Sequence, residues 1–265
     1  MCGIVGYIGE PIDLDKVKLT VESLEYRGYD SVGIVGLKDG NVIYFDKNIG
    51  KIQKLFETKP KDMKMDIWLA HTRWATRGDA TKENAHPQTD CNGKIYVVHN
   101  GDFSLEYKNI RKTLEEEGHK FTSDTDTEVI AHLIEKYLKE TDFLEACIKS
   151  GKELGGYFAL SIINTDRPDE IIAMKKGEPP LLIGRDEKQN VVASDTRAIA
   201  LYIDNVASMR NGDIALIRKD SIKIFNNGER VEREFKPIDK EEMTTDKGEL
   251  LPNIMKKIVS GDKIA

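Results

Sequence analysis

An α+β fold built on antiparallel sheets is predicted by three features of this sequence. The apolar runs come in the order strands, then helices, then many further strands. Most connections between neighbouring strands are too short to hold the crossover helix that parallel pairing requires. Where two apolar runs lie close together, as on either side of Asp39-Gly40, the residues between them are those of a hairpin turn.

The elements follow in order. IVGYIG (Ile4 to Gly9) is short, apolar and bounded by glycine, which predicts a strand. Asp13 to Tyr26 places Leu14, Val17, Val21 and Leu24 on one side of a helix that Arg27-Gly28 ends. VGIVGL and NVIYFDK are hairpin partners, and Ile49 to Phe56 is a candidate short helix. IWLAHTRW is a strand running into polar residues, followed by a long polar stretch from Ala75 to Lys94. A loop of that length is either functional or disordered. IYVVHNG is the next strand. Leu105 to Glu117 predicts a helix stopped by Gly118. TDTEVIAHLIEKYLKE predicts a second, with Thr125 and Glu128 spaced as a capping box. Asp142 to Leu154 is a third. From Gly156 onward GYFALSII, EIIAMKK, PLLIG, NVVAS, DIALIRK and SIKIF are short strands, with a short helix at Arg197 to Tyr202. After Lys236 the chain turns polar, so residues 1–240 form the expected domain and 241–265 a tail or linker, with Met255 to Ile258 an amphipathic piece of it.

The 265 residues are 39% hydrophobic and 32% charged, a globular balance that can bury a core. A net charge of -6 argues against nucleic acid and anionic membranes as partners. Three cysteines make no disulfide framework, and nothing resembles a signal peptide or an apolar run of ~20 residues. A cytoplasmic enzyme or binding domain is expected. The five histidines show neither C-x-x-C nor H-E-x-x-H spacing, so no metal site and no cofactor are expected. Cys91 is read as a surface thiol, Cys147 as core, His71 and His99 as buried histidines, His119 as a helix cap and His132 as helix surface or packing.

The chain begins MCGIVGYIG. If Met1 is removed, Cys2 carries a thiol and a free α-amine on one residue, a nucleophile beside a base of near-neutral pKa. A thiol nucleophile implies attack on a carbonyl, whose oxyanion needs donors. The Asn100 amide beside the Gly101 backbone N–H is a suitable pair. Arg73 can grip a carboxylate through two parallel bonds, and Asp126 can hold an ammonium. Together they outline a site for an amino acid whose side-chain amide is cut.

CGIVGYIG, LEYRGYDSVGI, HTRWAT, NAHP, VHNG, SDTDTEVIAHLI, ASD and DKG stand here in the order found in the class II glutamine amidotransferases. The set most closely resembles the glutaminase domain of the glutamine–fructose-6-phosphate aminotransferases, from Cys2 to about Met255. The resemblance implies the N-terminal nucleophile hydrolase fold, a four-layer αββα sandwich. It implies Cys2 as nucleophile with its own α-amine as base, and Asn100 and Gly101 as the oxyanion donors. It also implies Arg73 on the glutamine α-carboxylate and Asp126 on its α-amino group. Trp74 and Thr76 would shape the pocket and its covering loop, Arg27 would set the N-terminal strand, and His86 would contribute to the glutamine site. The substrate implied is L-glutamine, with a sugar-isomerase domain or subunit as partner and a homodimer as a candidate assembly. Because the chain stops just inside the segment that joins the two halves in the family, it is read as a piece of the longer protein, a split-gene subunit or a free-standing glutaminase. A silent glutamine-sensing domain is the alternative. Three positions depart from the family pattern: Arg77 and Gln88, both usually histidine there, and Asp102. Asp102 is expected to point away from the oxyanion donors.

Overall fold

The computed structural model describes residues 2–56, 62–241, 243–244, 248–250, 253 and 256. Alternation builds the first strand, β1 (Gly3–Asp13). Ile4 and Ile8 face one apolar layer, whereas Val5 and Tyr7 face another. The strand runs past Gly9 because an irregularity between Ile8 and Ile12 lets pairing resume. The helix expected over 13–26 is shorter, α1 (Leu14–Glu22), capped by Asp13 accepting from the Lys16 N–H at 2.9 Å. The chain then turns at Ser23, and a 3₁₀ turn covers Glu25–Arg27. The Leu24 carbonyl released there accepts from the Thr72 hydroxyl at 3.1 Å, which brings Arg27 back toward the start of β1.

The remaining elements are β2 (Ser31–Lys38), β3 (Asn41–Ile49), α2 (Gln53–Phe56), β4 (Lys64–Arg73), β5 (Gln88–Thr89), β6 (Ile95–Asp102), α3 (Tyr107–Glu116), α4 (Thr127–Tyr137) and α5 (Phe143–Leu154). They continue with β7 (Tyr157–Asn164), β8 (Arg167–Lys176), β9 (Leu182–Arg185), β10 (Gln189–Ala193), α6 (Thr196–Ala200), β11 (Asn205–Ser208), β12 (Asp213–Ile217), β13 (Ile222–Asn226), β14 (Glu229–Val231) and β15 (Lys236–Pro237). One eight-stranded sheet has the order β15-β11-β9-β10-β1-β4-β2-β3, and a seven-stranded sheet the order β14-β13-β12-β8-β7-β6-β5. The strand pairs are antiparallel in both.

Three apolar layers make this a four-layer sandwich. Val17, Val21, Trp68 and Ile199 join the first sheet to α1 and α6. Ile4, Val35, Leu69, Val98, Ala159 and Ala173 fill the space between the sheets. Val97, Leu160, Ile130, Leu133 and Cys147 join the second sheet to α3, α4 and α5. The αββα expectation is met.

One local expectation needs correction. Thr125 and Glu128 do not form a capping box, because α4 starts later, with Asp126 at its N-cap position. Glu128 instead reaches back to the Thr122 and Ser123 N–H groups, both at 2.7 Å, and ties down the incoming loop. The polar stretch after β4 is ordered without being regular. Gln88, buried, donates to the carbonyls of Glu83 and Ala85 at 3.0 and 3.1 Å and so closes the loop on itself. Beyond β15, the amphipathic piece at Met255 to Ile258 lies outside the described residues, except Lys256, as does Met1. Among the described residues, no helix is long and apolar enough to cross a membrane.

Candidate active site

The start of β1, the end of β4 and the end of β6 meet where the two sheets face each other. Cys2 precedes β1, and its backbone N–H donates to Asn100 Oδ1 at 3.2 Å. The sulfur accepts from the Trp74 N–H at 3.4 Å and lies 3.6 Å from the Trp74 carbonyl. Arg27 holds the same residue from the other side, its Nε donating to the Cys2 carbonyl at 3.1 Å. Arg27 is itself held by Tyr26, through Nη1 at 3.2 Å, and Tyr26 bonds Asp195, the N-cap of α6. Ser194 pairs with Ile4 through its hydroxyl, at 3.1 Å, and through its own N–H, at 2.9 Å. Sequence reasoning quoted Ala193-Ser194-Asp195 as a motif but gave it no task. The structure shows it bracing the strand that carries Cys2.

Burial raises the Cys2 thiol above its ordinary range. The Trp74 N–H and the Arg73 and Arg27 charges oppose this without reversing it. Burial thus favours the neutral thiol form.

Asn100 is buried, with Oδ1 committed to Cys2. Its Nδ2 is buried and has no hydrogen-bond partner among the described residues. An amide donor left like this is costly unless something uses it. Gly101 follows with φ +135°, and a Cβ there would stand 2.3 Å from the Tyr157 carbonyl oxygen, so only glycine fits.

Arg73 is 4% exposed. Its guanidinium donates to the carbonyls of Asp79 at 3.0 Å, of Gly78 at 3.2 Å and of Arg77. It therefore folds the covering loop around itself. Thr76 on that loop is exposed, and Trp74 is half-exposed, with its ring edge-on to Tyr29. The Ala75 N–H donates to Asp30 at 2.9 Å, a support that sequence reasoning missed.

Asp126 is buried and accepts from the Phe103 N–H at 3.3 Å. Arg77 Nε lies 3.6 Å from that same oxygen, Oδ2, and also pairs directly with Asp102. The Arg77 and Asp102 departures are therefore one feature, an ion pair across the mouth of the site.

His86 sits in a buried column of imidazoles, its ring centroid 4.2 Å from that of His71 and 6.4 Å from that of His99. It accepts from the His99 N–H at 3.4 Å, while His71 Nε2 meets the His99 carbonyl at 2.8 Å. No hydrogen bond joins His86 to Cys2, Arg73 or Asp126 among the described residues. Burial lowers all three pKa values, that of His71 to about 3. Folding thus keeps neutral three groups that take up protons near pH 6.5 when unfolded. The unfolded state binds more protons, so stability is complete above pH 6.5 and is lost as pH falls toward the folded values. Each histidine contributes a slope of up to about 1.4 kcal/mol per pH unit. Glu128 behaves likewise, despite the burial that opposes it. The His132 ring close beside it and hydrogen bonds from Ser123 and Thr122 hold it at about 2, so it acts only below its ordinary 4.5. Unfolding titrations in urea between pH 6.5 and about 5 are expected to show stability falling steeply, and a shallower fall in His71→Gln. Equal slopes in the two proteins would remove this reading of the column.

Away from Cys2, and against the expectation of no metal site, Cys91, His119, His132 and Glu135 bring ligand atoms within 4.8 Å of one another. Cys91 is a surface thiol as expected, the His119 N–H caps the end of α3 by returning to Leu114, and His132 is buried on α4. The four come from three segments, so no local spacing signalled them.

A family model described as a glutamine amidotransferase domain matches residues 71–201. The chain is 42% identical over 265 residues to a glutamine–fructose-6-phosphate aminotransferase (isomerizing) of Aquifex aeolicus, covering 99% of this chain and 44% of that protein. It is 40% identical to the enzyme of that name from Thermotoga maritima, covering 94% and 41% respectively. The chain thus spans less than half the length of these relatives. Among solved structures, glutamine phosphoribosylpyrophosphate amidotransferase from B. subtilis, complexed with ADP and GMP, superposes with a TM-score of 0.72 at 27% identity, covering 85% of this chain and 49% of that one. A class-II glutamine aminotransferase domain protein from Silicibacter pomeroyi shares the fold, with a TM-score of 0.53 at 12% identity over 85% of this chain and 99% of that one.

Proposed function

Because the chain belongs to the class-II glutamine amidotransferases, as a domain closely related to the glutaminase half of glutamine–fructose-6-phosphate aminotransferase, we propose that it hydrolyses the side-chain amide of L-glutamine through Cys2. The observation that carries this is the Asn100 amide, its oxygen fixed on the Cys2 N–H and its buried nitrogen without a partner among the described residues. That is the arrangement an oxyanion requires beside a nucleophile.

Loss of Met1 leaves Cys2 with a free α-amine. This amine takes the thiol proton as the sulfur attacks the amide carbon. It is the base to hand, because the hydrogen bonds of the sulfur go to the Trp74 backbone and the three nearby histidines are buried against one another. Asn100 Nδ2 and the Gly101 N–H hold the oxyanion. The amine returns its proton to the departing nitrogen, ammonia leaves, and a glutamyl thioester remains on Cys2. Water, deprotonated by the same amine, then releases glutamate and restores the thiol.

Asp126 receives the substrate ammonium, which takes the place Arg77 holds beside that carboxylate. Arg73 grips the α-carboxylate with donors it otherwise gives to the loop carbonyls. Trp74 and Thr76 belong to the cover, Arg27 positions Cys2, and His86 supports the strand of His99. The ammonia is destined for a cytoplasmic sugar-isomerase half, on this polypeptide or a separate subunit, which makes glucosamine 6-phosphate from fructose 6-phosphate. Residues 1–240 are the glutaminase domain in this reading, and 241–265 begin the connection.

Mass spectrometry of the protein should find Cys2 as its first residue, and an electrophilic glutamine analogue should modify that cysteine. L-Glutamine should yield equimolar glutamate and ammonia. A protein with Cys2 at its terminus that binds glutamine without hydrolysing it would overturn the proposal. Asp126→Asn is expected to raise KM about 10- to 100-fold, the worth of a hydrogen bond to a charged group, with a smaller effect on kcat. With a substrate lacking the α-amine the two proteins should converge, and a difference that persists would remove Asp126 from this role.

A further inference from the structure

We propose that Cys91, His119, His132 and Glu135 form a structural zinc site, independent of the proposed amide hydrolysis. Cys91 Sγ lies 3.8 Å from His119 Nδ1 and 3.5 Å from His132 Nδ1. The two imidazole nitrogens are 3.2 Å apart. Glu135 Oε2 is 2.9 Å from His119 Nδ1 and 3.4 Å from His132 Nδ1. A tetrahedral Zn²⁺ with its usual bond lengths sets N–N edges of about 3.3 Å and N–S edges of about 3.6 Å. The five separations are close to the edges of that tetrahedron. Hydrogen bonding satisfies such atoms in pairs, one proton to an edge. Here each nitrogen faces the other, the same sulfur and the same carboxylate oxygen, and one cation satisfies all four ligands at once.

The fold places each ligand before any metal arrives. Asp90 Oδ1 accepts from the Lys94 and Ile95 N–H groups at 2.7 and 2.8 Å, making a firm turn that presents Cys91. Gly118, at φ +98°, ends α3, and the His119 N–H returns to the Leu114 carbonyl at 2.9 Å. His132 and Glu135 are one turn apart on α4 and so share a face. The surroundings also suit a bound thiolate and imidazole. The Lys120 N–H points at Cys91 Sγ at 3.4 Å. Glu128 Oε1 lies 3.7 Å from His132 Nε2, the far nitrogen of a ligand ring, which is where metal-bound histidines commonly keep a carboxylate. Asn92 Nδ2 donates to Glu135 Oε1 at 2.6 Å, and the Cys91 N–H donates to Oε2 at 3.4 Å, so the carboxylate is held with Oε2 turned toward the other three ligand atoms.

One sulfur, two nitrogens and one carboxylate oxygen are a donor set that suits Zn²⁺ in tetrahedral geometry. All four positions are filled by protein, so no place is kept for a reacting water, and the role is structural. Binding releases the Cys91 thiol proton. The ion would join the turn after β5, the end of α3 and the middle of α4. The segment it spans, from His119 to His132, contains Asp126.

The test uses the full untagged chain bearing Cys2→Ala, which removes the other accessible thiol. After chelation and gel filtration, reloading with Zn²⁺ should leave about one ion per chain by elemental analysis. It should also raise the thermal midpoint by several degrees over the chelated protein. Co²⁺ should give the strong visible bands of four-coordinate cobalt with a thiolate charge-transfer band in the near ultraviolet. Cys91→Ser should lose that band, and His119→Gln should lose both retained Zn²⁺ and the thermal shift. Zn²⁺ that washes away without a thermal shift, a weak six-coordinate cobalt spectrum, or full retention in both variants would each overturn the proposal.

Discussion

Cys2→Ala is expected to cut ammonia release from glutamine by on the order of 10⁵-fold or more, the scale on which a lone nucleophile is missed. No other thiol can stand in. Cys91 is exposed in the turn before β6, and Cys147 is buried in α5. The fold should survive, because the Cys2 side chain makes hydrogen bonds only to the Trp74 backbone, and the strand is held by main-chain pairing and by Arg27 on the Cys2 carbonyl. Glutamine should still bind in calorimetry, since Arg73 and Asp126 are untouched. Turnover persisting above a trace in Cys2→Ala would mean that another group does the chemistry.

Asn100→Asp is expected to lower kcat by about 10²- to 10³-fold with KM little changed. The substitution is chosen for what it keeps. A carboxylate oxygen can still accept from the Cys2 N–H, so the nucleophile stays where it is. What disappears is the Nδ2 donor, and a negative oxygen takes its place where negative charge must develop. Asn100→Ala would confound the two effects, because it also releases Cys2. If Asn100→Asp turns over at the parent rate, the oxyanion is held elsewhere.

Much of the sandwich was legible because sheet periodicity is a local signal. Ile4 and Val5 point to opposite layers, both apolar, and the sequence shows this as a continuous apolar run bounded by glycine. What escaped depended on contacts between distant residues. The helix after Asp13 gives way at Ser23 to a 3₁₀ turn whose Leu24 carbonyl accepts from both the Arg27 N–H and Thr72, on β4. The strands β11, β14 and β15, at or next to a sheet edge, are too short to show a period. Glu128 looked like half of a capping box, but its partners lie upstream in Thr122 and Ser123. The site was legible as residue types, since an Asn-Gly pair, an arginine and an aspartate at element ends suggest their own chemistry. Their present engagements were not legible. Arg73 spends donors on its own loop, and Arg77 with Asp102, two oddities when read singly, neutralise each other across 25 positions.

The proposed nucleophile and its proposed oxyanion donor are carried by different sheets, Cys2 just before β1 and Asn100 on β6. Their separation is consequently a readout of the spacing between two slabs, set by the girth of side chains such as Ile4, Leu69, Val98 and Ala159. A methyl group trimmed from that filling lets the slabs settle by a fraction of an ångström, and reacting atoms are sensitive to displacements of that size. In the proposed reaction, residues that never meet glutamine would act as shims for its cleavage, and drift in that layer should register in rate before it registers in melting.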